Sequence, residues 1–117
     1  MYMLIFQGNY SSRRYEQSLR DREGAFWICS FWAIEHLARG GGSPSEARRW
    51  FADACAHASE LGLMAEEVDP ATGAQLGNFP QAYTHVGLIS AALALEERAA
   101  LERERPRRDR GAPEVRP

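Results

Sequence analysis

The chain contains no lysine: all fourteen of its basic residues are arginine. With abundant alanine and ten glycines, this reads as the imprint of a GC-rich coding sequence rather than of function. Cysteine is nearly absent as well. Cys29 and Cys55 both lie in apolar helical patterns and read as buried free thiols in a reducing compartment. An excess of positive charge is also lacking, since 14 basic against 16 acidic residues leave a net charge of -2. That excludes the electrostatic footprint of a partner such as nucleic acid or an anionic membrane. The opening MYMLIF is the one apolar start, and it is too short for a signal-peptide core or a membrane span. The expected location is therefore cytoplasmic. Histidines 36, 57 and 85 have no metal-ligand spacing, and no nucleophile motif occurs. Residues 40–42 follow a helix and precede a helix start, so they read as a connection and not a phosphate loop. No metal and no cofactor are expected.

What is present suits one small helical domain of 117 residues, 44% hydrophobic and 26% charged. Residues 1–22 lack periodicity and read as an irregular segment. Residues 25–38, AFWICSFWAIEHLA, are apolar almost all round, as in a helix buried on most sides. Ser43, Pro44 and Glu46 then form a capping box that opens a helix over residues 44–61. Ala47, Trp50, Phe51, Ala54, Cys55, Ala58 and Leu61 make its apolar stripe. From Pro80 to about Leu95 the sequence is again mostly apolar, apart from Gln81, Tyr83, Thr84, His85 and Ser90. A charged helix extension follows, and residues 98–117 form a charged tail that reads as disordered after Pro106.

This order predicts an all-α fold of about three helices: buried, amphipathic, buried. Such an alternation matches the inner and outer helices of a toroid. A short hairpin returns the chain to the end where the first helix began. Glu23 and Gly24, the Glu66-Glu67 loop and Asn78 should therefore converge on one rim. Three helices cannot enclose two that are apolar all round, so an exposed apolar surface is expected.

Two stretches carry a family resemblance: REGAFWICSFWAIEHLA at residues 22–38 and LGLMAEEVDPATGAQLGNFPQAYTHVGLISAALAL at residues 61–95. In this order, with a capped helix between them, they resemble glycoside hydrolase family 15, the glucoamylases, glucodextranase-like enzymes and bacterial trehalases. The likeness runs from about Arg13 to Leu95, with residues 23–97 as the domain segment, and corresponds to about the last fifth of the family's catalytic domain. It implies a partial (α/α)6 toroid and inverting hydrolysis of an α-glucoside of maltose, dextrin or trehalose type. It further implies that Glu66, in Ala65-Glu66-Glu67-Val68-Asp69, is the ionised general base that activates water. The family's general acid has no counterpart here. The chain is thus expected to be an incomplete glycosidase, partnered by the missing N-terminal part of such a hydrolase or by itself. The alternative is a non-catalytic sugar-binding or protein-interaction module.

Glu67 is expected to bind substrate or to hydrogen-bond the loop. Glu23 either contacts a sugar hydroxyl or serves as a helix N-terminal carboxylate. Phe26 and Trp27 could form an apolar platform, although Trp27, Phe31 and Trp32 read first as core. Asn78, Gln81, Tyr83 and His85 complete the polar set, with His85 also readable as a hydrogen-bonded core residue.

Overall fold

A computed structural model describes residues 24–109. In chain order the elements are strand β1 (Ala25–Phe26), helix α1 (Trp27–His36), a π-helical turn (Leu37–Gly41), helix α2 (Pro44–Cys55), strands β2 (Glu67–Val68) and β3 (Gln75–Leu76), and helix α3 (Ala82–Asp109).

Side-chain contacts fix how the helices run. Phe31 lies beside Gly87, Ala38 beside Ala94, and Arg39 bonds Glu97 at 3.0 Å, so α1 and α3 advance together in parallel. A methyl group on Gly87 would come within 3.1 Å of Phe31 Cβ and 2.6 Å of Ile28 Cδ1, so glycine allows this close approach. Helix α2 runs the other way: Ala47 meets Ala38, Phe51 meets Phe31 with ring centroids 6.2 Å apart, and His57, just past its end, meets Trp27 at 5.1 Å. Two parallel helices with an antiparallel one between them in sequence match the inner, outer, inner succession of an (α/α)6 toroid. The molecule is a partial toroid of that kind, as the alternation of apolar patterns predicted.

The core is built from Trp27, Phe31, Ile34, Ala54, Met64, Val68 and Ala91, all buried. Trp50 and Phe51 pack against it from the apolar stripe of α2. At the head of α2, Ser43 Oγ accepts from the Glu46 N–H at 3.4 Å, with Pro44 at the first helical position. Cys29 and Cys55 are free, and partial burial pushes both thiols up, away from the reactive thiolate.

Four expectations need correction. Residues 25–26 are not helix; they pair with β2, Ala25 opposite Val68 and Phe26 opposite Glu67, in a three-stranded antiparallel sheet. Helix α2 stops at Cys55 rather than at residue 61. There the chain tightens into turns, with the Ala58 N–H bonded to Cys55 O at 3.1 Å and the Gly62 N–H to Ser59 O at 2.8 Å. Helix α3 continues past residue 95 as the expected charged helical extension and runs to Asp109, slightly beyond Pro106, where the helix was expected to give way to a tail. The extension is rich in Ala, Leu, Glu and Arg, all strong helix formers, and the Glu97 and Glu102 carboxylates are held by Arg39 and Arg48. Finally, Trp32 is half-exposed instead of lying in the core.

Candidate active site

The chain segment after α2 crosses the starts of both parallel helices and is fastened to each. The Trp27 N–H donates to Glu66 O at 3.1 Å, and the Gln81 N–H to Met64 O at 3.0 Å. Met64 and Ala65 are fully buried beneath this crossing. Side chains reinforce it. Thr84 Oγ, fully buried, lies 3.0 Å from Ala65 O and 2.9 Å from Gln81 Oε1, and its single proton serves one of them at a time. Gln75 Oε1 accepts from the Ala65 N–H at 2.5 Å, while its Nε2 donates to His57 O at 3.1 Å. His85 Nε2 accepts from the Met64 N–H at 3.3 Å. Its ring proton therefore sits on Nδ1, which faces Gln81 O at 2.6 Å.

On this anchored segment Glu67 opens β2 and Glu66 occupies the bend just before it, and the two carboxylates have different partners. The Glu67 Oε2 atom turns inward and accepts from the Gly24 N–H at 2.9 Å. A side chain at residue 24 would come within 2.9 Å of Glu67 Cβ, Glu67 Oε2 and Val68 O. The Glu66 Oε2 atom accepts from the Asn78 N–H at 3.2 Å. Beneath it lies Gly77, at φ +73°, where an added Cβ would fall 2.9 Å from Glu66 Oε2 and 3.0 Å from Glu66 Cβ. Glycine therefore suits residue 77 twice: it tolerates the left-handed backbone and leaves room for the carboxylate.

Asp69 closes the following turn. Its carboxylate accepts from the Ala71 N–H at 2.8 Å and from Thr72 Oγ at 2.9 Å. The Ala71 bond, then the Thr72 hydroxyl, hold this carboxyl below the usual aspartate range. The turn brings β3 back against β2, Glu67 opposite Leu76, and so delivers Gly77 and Asn78 to Glu66.

The fold thus brings Gly24, Glu66, Glu67, Asn78, Gln81 and His85 to one rim, with Phe26 exposed at its edge. Trp27 is not a platform here. It is fully buried against Phe31 and His57, and a ring without an open face cannot stack on a sugar. His85 and Gln81 hold the loop to α3 from within, His85 through both ring nitrogens. Tyr83 is half-exposed and meets Trp32 edge-on at 6.1 Å. Glu23 lies outside the described residues. Sequence reasoning missed Gln75, Gly77 and Thr84 as supports of this loop. Thr84 did leave a signal: a polar residue on an otherwise apolar helix face must find a hydrogen-bond partner inside.

Comparison with known proteins bears on this rim. Residues 41–93 match the family model for glycosyl hydrolases family 15. The chain carries a family 15 segment. The trehalase of Mycolicibacterium smegmatis is 43% identical over 84 residues, covering 72% of this chain and 12% of that protein. The trehalase of Mycobacterium tuberculosis is 42% identical over 84 residues, with the same shares covered. The trehalase of Thermoplasma acidophilum is 42% identical over 90 residues, covering 75% of this chain and 15% of the relative. The chain therefore spans only between 12% and 15% of the length of these curated relatives. No solved structure matches significantly.

Proposed function

We propose that the rim around Glu66 is the water-activating side of an inverting α-glucosidase site, with a trehalose-like α-glucoside as substrate. The observation that carries this reading is the presentation of Glu66. Its carboxylate leaves an anchored loop at the common end of two parallel helices, oriented by the Asn78 N–H and seated over Gly77. An inverting hydrolase needs one carboxylate as base and another as acid, about 6.5–9.5 Å apart, with a water beside the base. Glu66 takes the proton of that water as its oxygen attacks the anomeric carbon. The bond to the leaving oxygen breaks as the acid protonates it. Glu67 is not that acid, because it adjoins Glu66 on the same loop and its carboxylate is taken up by the Gly24 N–H. It braces the start of α1 against the loop. The acid belongs to another part of a toroid. Asn78, exposed and bonded to Glu66, is the polar group beside it.

This reading predicts that the chain alone releases no glucose from trehalose or maltose. The decisive experiment exchanges the matched segment of the Mycolicibacterium smegmatis trehalase for this one. The chimera is expected to hydrolyse trehalose. Glu66→Gln in it should lower kcat by about 100- to 10,000-fold, and Glu67→Gln considerably less. A chimera that folds and is active but is indifferent to Glu66→Gln would refute the assignment.

A further inference from the structure

The crossing loop that carries Glu66 is joined to the start of α3 at Met64, two residues before the carboxylate, and both main-chain polar groups of Met64 are used there. Its carbonyl accepts from the Gln81 N–H at 3.0 Å, and its N–H donates to His85 Nε2 at 3.3 Å. His85 Nδ1 in turn lies 2.6 Å from Gln81 O. Met64, Gln81 and His85 thus close a ring of hydrogen bonds in which the imidazole is the strut, and Met64 itself is fully buried. A neutral imidazole with its proton on Nδ1 suits this ring, because one nitrogen donates and the other accepts. An imidazolium does not. It donates from both nitrogens, and its second N–H would meet the Met64 N–H donor to donor.

We infer that His85 is a positioning residue for Glu66, holding the carboxylate's loop on α3 only while its ring is neutral. This role rests on the reading of Glu66 as the base. Protonation at Nε2 deprives the buried Met64 N–H of its acceptor, and the two donors move apart. The Gln81 N–H still reaches Met64 O and the Thr84 hydroxyl still reaches Ala65 O, so the loop loosens at Met64 without unfolding. Glu66 follows two residues later, and a displacement of about 1 Å in a catalytic group can cost about 100-fold in rate. No anion offers the imidazolium a replacement contact: among the described residues, no carboxylate forms an ion pair with the ring. The titratable groups on the elements around His85 are Glu66 and Glu67 on the loop, Tyr83 on α3, Cys29 on α1 and His57 just beyond α2. The two loop carboxylates are already engaged, by the Asn78 and Gly24 N–H groups.

Nitrogen-15 NMR of the full chain from about pH 8 to pH 5, the range in which imidazoles change charge, tests the strut directly. At the upper end His85 should show the tautomer with its proton on Nδ1. As the ring gains its second proton, the Met64 amide should lose about tenfold or more of its exchange protection, measured against the intrinsic rate at each pH. In His85→Gln, whose amide oxygen can accept but does not titrate, Met64 protection should stay level over the same range. In the trehalase chimera, His85→Leu should lower kcat per folded molecule about 10- to 100-fold with KM for trehalose little changed, because it removes the acceptor and touches no sugar. His85→Gln should recover most of that loss. A proton on Nε2 at pH 8, a ring whose charge is unchanged down to pH 5, Met64 protection that stays level through the titration, or equal kcat for His85→Leu and its parent would each overturn the inference. If the chimera is active but indifferent to Glu66→Gln, the sugar-site reading falls by itself, and Met64 protection still decides whether His85 holds the loop.

Discussion

The two ends of the helix bundle are held by different physics. At the rim, where α1 and α3 begin, Met64, Ala65 and Glu66 are tied down by main-chain bonds from Trp27 and Gln81 and by the Thr84, His85 and Gln75 side chains. At the opposite end, Arg39 bonds Glu35 and Glu97, and Arg48 reaches Glu102 at 3.3 Å, all on the surface. The first set satisfies groups that have lost water, so breaking one member leaves another buried and unpaired. The second set exchanges part of the hydration of exposed charges for direct ion pairs, at little net gain. A carboxylate that must be aimed, such as Glu66, sits at the end where geometry is enforced.

Removing one buried bond at the rim should therefore have the larger effect. Thr84→Val keeps the shape but deprives Ala65 O of its donor inside the core. The expected loss is about 1–3 kcal/mol in urea unfolding. Thr84→Ser, which restores the hydroxyl, should recover most of it. If Val proves neutral, the rim is not the over-determined end described here.

How much of this was legible in the sequence follows from the range of each interaction. Helix order, the Ser43 cap and the parallel run of α1 and α3 depend on local periodicity and short connections, and these could be read directly. Strand β1 could not. Ala25 and Phe26 belong to an apolar helical pattern and become extended only because β2, some forty residues later, supplies partners. The same holds for Trp27, whose aromatic ring suits a platform or a core equally until the fold places His57 and Phe31 against it. At the site, the family resemblance picked out Glu66 and its neighbour. The supports of Glu66 were not legible, because Gly77 and Asn78 reach it through the Asp69 turn and the β2–β3 register.

That turn offers a smaller, pH-dependent test. Asp69 is held below its ordinary value of about 3.9 by the Ala71 N–H and the Thr72 hydroxyl. A depressed folded-state value means its contribution is complete above the unfolded value and disappears as pH falls through the lower, folded one. Thermal unfolding between pH 5 and pH 2 should show wild type ahead of Asp69→Asn at the upper end, with the two curves converging toward the acid end. Curves that stay parallel would show that the turn is held by its backbone bonds alone.

The least effect is expected at the far end. Arg48 and Glu102 are both substantially exposed, and their 3.3 Å contact joins two long, mobile side chains. A double-mutant cycle of Arg48→Ala and Glu102→Ala should give a coupling of roughly 0.2–1 kcal/mol, falling further in high salt. Arg98 complicates the cycle, because it also approaches Glu102, at 3.6 Å, from one turn earlier on α3. Removing Arg48 leaves Glu102 that second partner, which pulls the expected coupling toward the lower end of the range. The contrast with Thr84 then becomes a matter of connectivity: Glu102 can exchange one arginine for another or for bulk water at the surface, whereas Ala65 O is reached by the Thr84 hydroxyl where both residues are fully buried. A coupling near that of a buried pair, insensitive to salt, would show that the charged end of α3 is packed as firmly as the rim, and the division of the bundle into an enforced end and a solvated end would fail.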